Sequence, residues 1–314
     1  MKKNEKLNVG GQAVIEGVMM RTPSAFAIAV RKTGGEILIE RDSHRSFTRR
    51  YRFLNWFFIR GTVILVESLI LGLRALNFSA NVFLDESQPS SKVNPRKRWN
   101  NFTLACSLAI GIGFGVMLFV ILPLVMTQFL QSRILWVGGN NFTYSVVAGI
   151  FRIVIFLLYL IVISRFREMR RLFQYHGAEH KSVYTYENAE DLTLENARKY
   201  STLHPRCGTA FLLTVMLVAI LIFSLFSKDF PLGTKVLIRL AFIPVISGIS
   251  YEIIKLADRK RGKKWAQILI TPGLWLQRIT TLPPNDSQIM VALTALRSVV
   301  DEQNDIEKAP SFRR

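Results

Sequence analysis

The chain has 314 residues, half of them hydrophobic, a mean hydropathy of +0.25 and a formal charge of +19. The apolar residues collect in long runs, which excludes an ordinary soluble protein and predicts a membrane protein. Basic loops that set the orientation of membrane spans account for a positive excess of this kind. Because no recognition motif and no basic patch with interleaved aromatic residues accompanies the charge, no specific nucleic-acid partner is predicted.

The two cysteines and the first residues of the chain exclude two further classes. Cys106 lies inside an apolar run and Cys207 in a distant polar segment, so no disulfide framework is predicted. The first twelve residues contain no apolar core, and we therefore expect no cleaved signal peptide.

The N-terminal 52 residues predict a small β-rich module. Two short runs rich in apolar and β-branched residues, 26–32 and 37–41, flank a turn that contains Gly34 and Gly35, which is typical of a β-hairpin. The preceding segment, 10–21, predicts one further strand.

Four later runs are each about the length needed to cross a bilayer. The predicted spans are 102–126, 143–163, 209–227 and 232–256. The loops next to them alternate in charge: the segment before the first span, the 164–208 loop and the segment after the fourth span are strongly basic, whereas the loop between the first two spans has only Arg133. This pattern predicts that both termini and the 164–208 loop lie in the cytoplasm.

Three other segments are predicted to be helical or interfacial without crossing the bilayer. Residues 53–78 are apolar but have basic flanks on both sides, which favours an interfacial or re-entrant helix. Residues 265–277 contain two tryptophans suited to the headgroup level, and 287–303 have the apolar spacing of an amphipathic cytoplasmic helix. The fold class is therefore a mainly α-helical membrane protein with four transmembrane helices, interfacial or re-entrant helices and a β-rich cytoplasmic module. The predicted divisions are 1–52, 53–78, 102–163 (spans one and two), 164–208 (cytoplasmic loop), 209–256 (spans three and four) and 257–314.

Three of the four histidines fall in the predicted 164–208 loop. His176 and His180 are four residues apart, so both rings lie on one face of a helix, as two ligands of one metal ion do. Glu179 stands between them in the H-x-x-E-H order of the inverted zincins, where a carboxylate near the metal acts as a general base. The alternative is that the histidines are interfacial or hydrogen-bonded residues at span ends and that Glu179 pairs with an arginine.

A second motif, His204-Pro-Arg-Cys207, follows in the same loop. Imidazole and thiolate are good zinc ligands, and the proline favours a turn that presents both side chains. Zinc is the expected metal. The site could be closed, with His176, His180, His204 and Cys207 all bound, or open, with three protein ligands and one water. Closed sites are structural and open sites catalytic, and Glu179 favours the open form.

Charged residues inside the apolar runs form a second group of candidates. Arg152 lies near the middle of the second span and Arg239 inside the fourth, where ionisable groups need a partner or water. Glu67 and Glu252 are candidate counter-charges, and Glu252 is also a candidate for the distant acidic ligand that an inverted zincin needs. The arginines could contact a lipid phosphate or an anionic substrate, or they could be snorkelling residues or members of structural ion pairs.

Three motifs, GGQAVIEGVMMR (10–21), YHGAEHK (175–181) and HPRCGT (204–209), resemble the YqhQ-type bacterial membrane family. Members of that family have no known function and are often labelled predicted metal-dependent enzymes. The resemblance implies a multi-pass protein of the bacterial plasma membrane in which His176, Glu179, His180, His204 and Cys207 form one site. It also draws attention to Glu16 and Arg21. Glu16, an acid among apolar neighbours, should find Arg206 or the metal as a partner, or else be a surface residue of the hairpin.

Three functions are consistent with these patterns. The first is a metal-dependent hydrolase, such as a peptidase, at the cytoplasmic membrane face, with Glu179 as the base. The second is a scaffold with a structural zinc site whose basic face recruits a protein or anionic lipid headgroups. The third is a lipid or ion transporter that uses Arg152 and Arg239 and, with only four spans, would act as a homo-oligomer.

Overall fold

An antiparallel sheet opens the chain. The computed structural model describes residues 7–44, 46–57, 59–86, 101–260 and 262–308. The strands are β1 (Gly10–Val14), β2 (Gly17–Arg21), β3 (Ala25–Arg31) and β4 (Ile37–Ser43), arranged in the order β1-β2-β3-β4. The hairpin predicted around Gly34 and Gly35 is the β3–β4 pair, and Gly35 has a φ of 90° that glycine adopts without strain. The single strand predicted for 10–21 is instead a second hairpin, which turns at Glu16 with a φ of 51°.

Helices make up most of the remaining described chain. Their bounds are α1 (Phe47–Arg50), α2 (Ile59–Glu86), α3 (Asn101–Val116), α4 (Leu122–Gln131), α5 (Asn141–Ile163), α6 (Arg167–Glu187), α7 (Leu194–Arg198), α8 (Gly208–Phe223), α9 (Leu232–Ala241), α10 (Ile243–Arg259), α11 (Lys264–Thr280) and α12 (Asp286–Lys308). A π-helical segment (Met117–Ile121) joins α3 to α4, and 3₁₀ turns cover Arg52–Asn55 and Leu135–Gly138.

The sheet is covered by helices on both faces. In β3, Ala25, Ala27 and Ala29 face α6 and α12, whereas Phe26 and Ile28 face α2. This period of two is the alternation of a strand buried on both sides, and the small alanines let the two helices approach closely. The sheet is therefore the middle of three layers. Helix α2 forms one outer layer, and α6 together with the C-terminal helix α12 forms the other.

The C-terminal helix has the predicted amphipathic spacing. Within α12, Ile289, Leu293 and Leu296 are fully buried and belong to the core that this helix shares with the sheet and α6. This core binds the end of the chain to the N-terminal strands. It also fixes the position of α6, the helix that carries the H-x-x-E-H motif.

Several helices are long and apolar enough to cross a membrane. Within the described part of the chain, three helices meet that requirement, at 59–83, 106–131 and 141–163, and a fourth span is available if α9 and α10, bent by 47° at Phe242, are counted together. The protein is compatible with a multi-pass membrane protein on this basis. The predicted third span is shorter than expected, because α8 ends at Phe223 after 16 residues.

Helix α2 occupies the segment predicted to be interfacial or re-entrant. It is one continuous helix of 28 residues whose length and composition would allow it to cross a bilayer. Its C-terminal half buries Leu71, Ala75 and Val82 against the sheet, while its N-terminal half packs on α10, where Gly61 approaches the backbone of Gly248. The interfacial placement stays a prediction, and the contact with the sheet is in keeping with it.

Candidate metal centre

The first two candidate ligands lie on α6. The rings of His176 and His180 are one helical turn apart, with centroids separated by 4.5 Å. Each Nδ1 is held by a backbone carbonyl from another segment: His176 Nδ1 lies 2.8 Å from Thr280 O, and His180 Nδ1 bonds to Thr202 O. Because a carbonyl can only accept, both Nδ1 atoms carry the proton, and both Nε2 atoms present a lone pair. Metal-bound histidines are oriented in the same way by such carbonyls.

Cys207 provides the third candidate ligand. A turn closed by the hydrogen bond from Cys207 N to His204 O (3.2 Å) brings it to the N-terminus of α8. Its Sγ lies 3.2 Å from His176 Nε2, and it also accepts a hydrogen bond from Thr209 Oγ1 at 3.2 Å. Cysteine sulfur is a common ligand of zinc.

The three ligand atoms converge on one point. His176, His180 and Cys207 offer atoms that all lie within 4.8 Å of one another. Ligands at zinc–nitrogen and zinc–sulfur bond lengths in a tetrahedral site are separated by roughly 3.3–3.7 Å, so small side-chain shifts would accommodate the ion. His180 Nε2 is buried and has no hydrogen-bond partner among the described residues. Burial lowers the pKa of His180, which keeps its ring neutral, as metal binding requires. The donor set therefore fits zinc.

His204, expected as a fourth ligand, does not belong to this group. Its Nδ1 accepts a hydrogen bond from Arg206 N (3.2 Å), and its Nε2 lies 3.2 Å from Glu187 Oε1. Both ring nitrogens therefore lie next to groups outside the cluster. The group of converging candidate ligands therefore has three members among the described residues.

A buried glutamine that the motifs did not indicate positions the turn. Gln277, on α11, is fully buried and clamps His204 through two hydrogen bonds, from His204 N to Gln277 Oε1 (2.7 Å) and from Gln277 Nε2 to His204 O (2.9 Å). The sequence does not predict these contacts. Every residue has a backbone carbonyl, so Thr202 and Thr280 do not stand out, and a single glutamine forms no recognisable motif.

Glu179 is buried beside the cluster, on the side of α6 that faces the sheet. Its carboxylate accepts a backbone N–H from Gly11, and its Oε2 has no hydrogen-bond partner among the described residues. Burial raises the pKa of Glu179, while the neighbouring His176, His204 and Arg21 oppose that rise. The carboxylate is therefore next to the three ligands, with one free oxygen, and is not itself one of them.

Family membership follows from comparison with known proteins. A family model described as "Protein of unknown function (DUF1385)" matches residues 56–302. The chain belongs to this family. A Bacillus subtilis (strain 168) relative, named Uncharacterized protein YqhQ, is 32% identical over 295 residues, which cover 93% of this chain and 92% of that protein. The resemblance predicted from the three motifs is thus confirmed. No solved structure matches the chain.

Arg21, to which that family resemblance drew attention, lies next to the cluster. It is partly exposed at the end of β2, and its guanidinium interacts electrostatically with Glu67, Tyr251 and Glu179. Burial lowers its pKa, and the two carboxylates oppose that effect. Arg21 therefore places a positive charge from the sheet near the Glu179 carboxylate.

Glu16 and Arg206, expected to pair with each other, have other partners. Glu16 forms a salt bridge with Arg171 and accepts a hydrogen bond from Tyr175 Oη at 3.3 Å. Arg206 forms a salt bridge with Glu187, the carboxylate that also contacts His204. The candidate Glu16–Arg206 pair is wrong because Arg171, on α6 five residues before His176, lies at the β1–β2 turn and pairs with Glu16.

The expected counter-charges of the intramembrane arginines are also engaged elsewhere. Glu67 accepts a hydrogen bond from Ser46 Oγ (2.9 Å) and one from Phe47 N at the start of α1. Glu252 pairs with Arg60 of α2, which removes it both as a partner for Arg152 and Arg239 and as a distant metal ligand. Glu67 lies on α2 and bonds to the start of α1, whereas Glu252 lies on α10 and bonds to α2.

Proposed function

We propose that this DUF1385 protein is a metal-dependent hydrolase, with zinc as the metal, that acts at the cytoplasmic face of the bacterial plasma membrane. One observation carries the proposal: the ligand atoms of His176, His180 and Cys207 lie within 4.8 Å of one another, with both histidine Nδ1 atoms already held by carbonyls. Three protein ligands and one open position are the arrangement of catalytic rather than structural zinc sites.

The residues of the chain divide the chemistry among them. Zinc, when bound, supplies a water of lowered pKa and polarises a carbonyl or phosphoryl oxygen. Thr280 O and Thr202 O fix the rotation of the two imidazoles, and the Gln277 clamp fixes the turn that ends at Cys207. Glu179 Oε2 is the atom that would take up a proton beside the site, since its other polar contacts leave that oxygen free.

The position of the cluster along the chain supports a membrane-surface location. It lies between α5, which is a candidate span, and α8, which is a shorter apolar helix. The basic residues of 164–208 orient that end towards the cytoplasm. A substrate embedded in or attached to the membrane would meet the site at the level of the headgroups.

Metal analysis of the full-length protein tests the proposal. We expect about one equivalent of zinc in protein purified in detergent without chelators, and near-complete loss in the His180→Ala and Cys207→Ser variants, since each removes one of three ligands. The matched control is His204→Ala, which removes a histidine outside the ligand group and should keep the zinc. Elemental mass spectrometry measures the content.

Two outcomes would contradict this assignment. Metal-free wild-type protein would remove the basis for the metal centre. A loss in His204→Ala as large as that in His180→Ala, with four protein ligands in the X-ray absorption spectrum, would instead indicate a closed structural site and the scaffold function.

A further inference from the structure

Three buried cations lie at the end of α8 opposite to the metal cluster. Lys235 and Arg239 belong to α9 and Arg152 to α5, and they are only 5%, 7% and 9% exposed. The ring of Phe223, at the C-terminus of α8, lies 4.9 Å from the Arg239 guanidinium and 5.9 Å from that of Arg152. Because Cys207 precedes the other end of the same 16-residue helix, the two groups are about 24 Å apart.

The partners of these cations are neutral. Lys235 Nζ lies 3.2 Å from Tyr144 Oη, and Arg152 Nε donates to Phe119 O at 2.8 Å. Arg239 Nη1 reaches only Lys235 O, at 3.5 Å, and its buried Nε has no hydrogen-bond partner within the described ranges.

No carboxylate of the described residues forms a salt bridge with any of the three cations. Asp229, in the α8–α9 connection, pairs instead with Lys228, 2.8 Å away, and is largely exposed. A buried cation without a counter-charge destabilises the fold, and three such cations close together also repel one another. An anion held among them would remove both penalties.

Two of the three cations, Lys235 and Arg239, line a cleft, and the side chain of Lys228 lines it as well. The cleft is open to solvent, and Phe223 and Tyr144 line it beside the two buried cations. Arginine and lysine side chains that converge in this way are the usual recognition elements for phosphate groups. We propose that this cleft binds a phosphate group, carried by the headgroup of an anionic phospholipid or by a phosphorylated solute.

Lipid binding to the full-length protein in a neutral detergent tests the proposal. Native mass spectrometry would compare phosphatidylglycerol, which is anionic, with phosphatidylcholine, which is zwitterionic. The melting temperature of the protein would also be compared between inorganic phosphate and sodium chloride at equal ionic strength. For the wild type we expect phosphatidylglycerol to bind about tenfold more tightly than phosphatidylcholine, or inorganic phosphate to stabilise selectively. The first result identifies a lipid headgroup as the source of the phosphate, and the second a solute.

Two charge variants locate the site. Arg239→Gln should abolish the preference for the anionic lipid or for phosphate. Arg133→Gln should preserve that preference, because it removes the same charge at an exposed position just after α4. If Arg239→Gln does not fold, Lys235→Gln replaces it. Equal binding of the two lipids together with no effect of phosphate on the wild type would overturn the proposal, as would equal losses in Arg239→Gln and Arg133→Gln.

The metal centre and the cleft can be tested separately. Arg239→Gln should keep the zinc content of the wild type, and His180→Ala should keep the lipid or phosphate preference. A failure of either proposal therefore leaves the other one open to its own measurement.

Discussion

The Gly177→Ala variant should be destabilised by about 2–4 kcal/mol and should lose much of its metal. Gly177 lies on α6 between the two histidine ligands, and a Cβ at this position would stand 2.2 Å from Leu282 O and 3.2 Å from Thr202 Cγ2. The carbonyl cannot move freely, because Leu282 N donates to Phe173 O at 2.9 Å. Since alanine favours a helix by about 1 kcal/mol over glycine, a loss of stability would come from this clash alone.

The effect on metal binding follows from the same contact. Displacement of the segment after α11 moves Thr280 O, which holds His176 Nδ1, and Thr202, whose carbonyl holds His180 Nδ1. Thermal unfolding in detergent and zinc content measure the two effects. Gly113→Ala is the matched control, because nothing lies within 4 Å of a Cβ at that helical glycine. A Gly177→Ala protein with the melting temperature and zinc content of the wild type would contradict the close approach.

The Glu179→Gln variant should keep its zinc and lose activity by about 10²–10⁴-fold, the usual contribution of a general base. Glutamine has the shape of glutamate and can still accept the N–H of Gly11, so the fold and the three ligands should be unaffected. It cannot take up a proton at the position of Oε2. The effect should therefore fall on the chemical step and leave metal binding unchanged.

Because the substrate is unidentified, cells provide the readout for Glu179→Gln. Membrane lipids and peptides would be profiled in a deletion strain that carries the wild type, Glu179→Gln or the control Glu195→Gln. Glu195 is an acid of the first turn of α7, outside the cluster. We expect Glu179→Gln to match the deletion strain and Glu195→Gln to match the wild type. Wild-type profiles in the Glu179→Gln strain would exclude Glu179 as the base.

Local patterns in the sequence predicted several of the elements correctly. The four-residue spacing of His176 and His180 places both on one face of α6, and the apolar spacing of 287–303 predicts α12. The glycine pair between 26–32 and 37–41 predicts the β3–β4 hairpin. Such features depend on residues within one or two turns of each other, and the periods of helix and strand determine them directly. The turn at Glu16 was not predicted, because glutamate rarely adopts a positive φ and is therefore not recognised as a turn residue in a sequence.

The choice among chemically equivalent partners was a matter of tertiary structure. Glu16 forms a salt bridge with Arg171 rather than with Arg206. Glu187 contacts both Arg206 and His204. His204 and Cys207 looked alike as ligands, and only the packing of their turn against α6 and α11 separates them. The sequence by itself determined which residue types are present and which of them share a helix face. The tertiary structure decided which of them meet, because those contacts join segments far apart in the chain, and local periodicity contains no information about them.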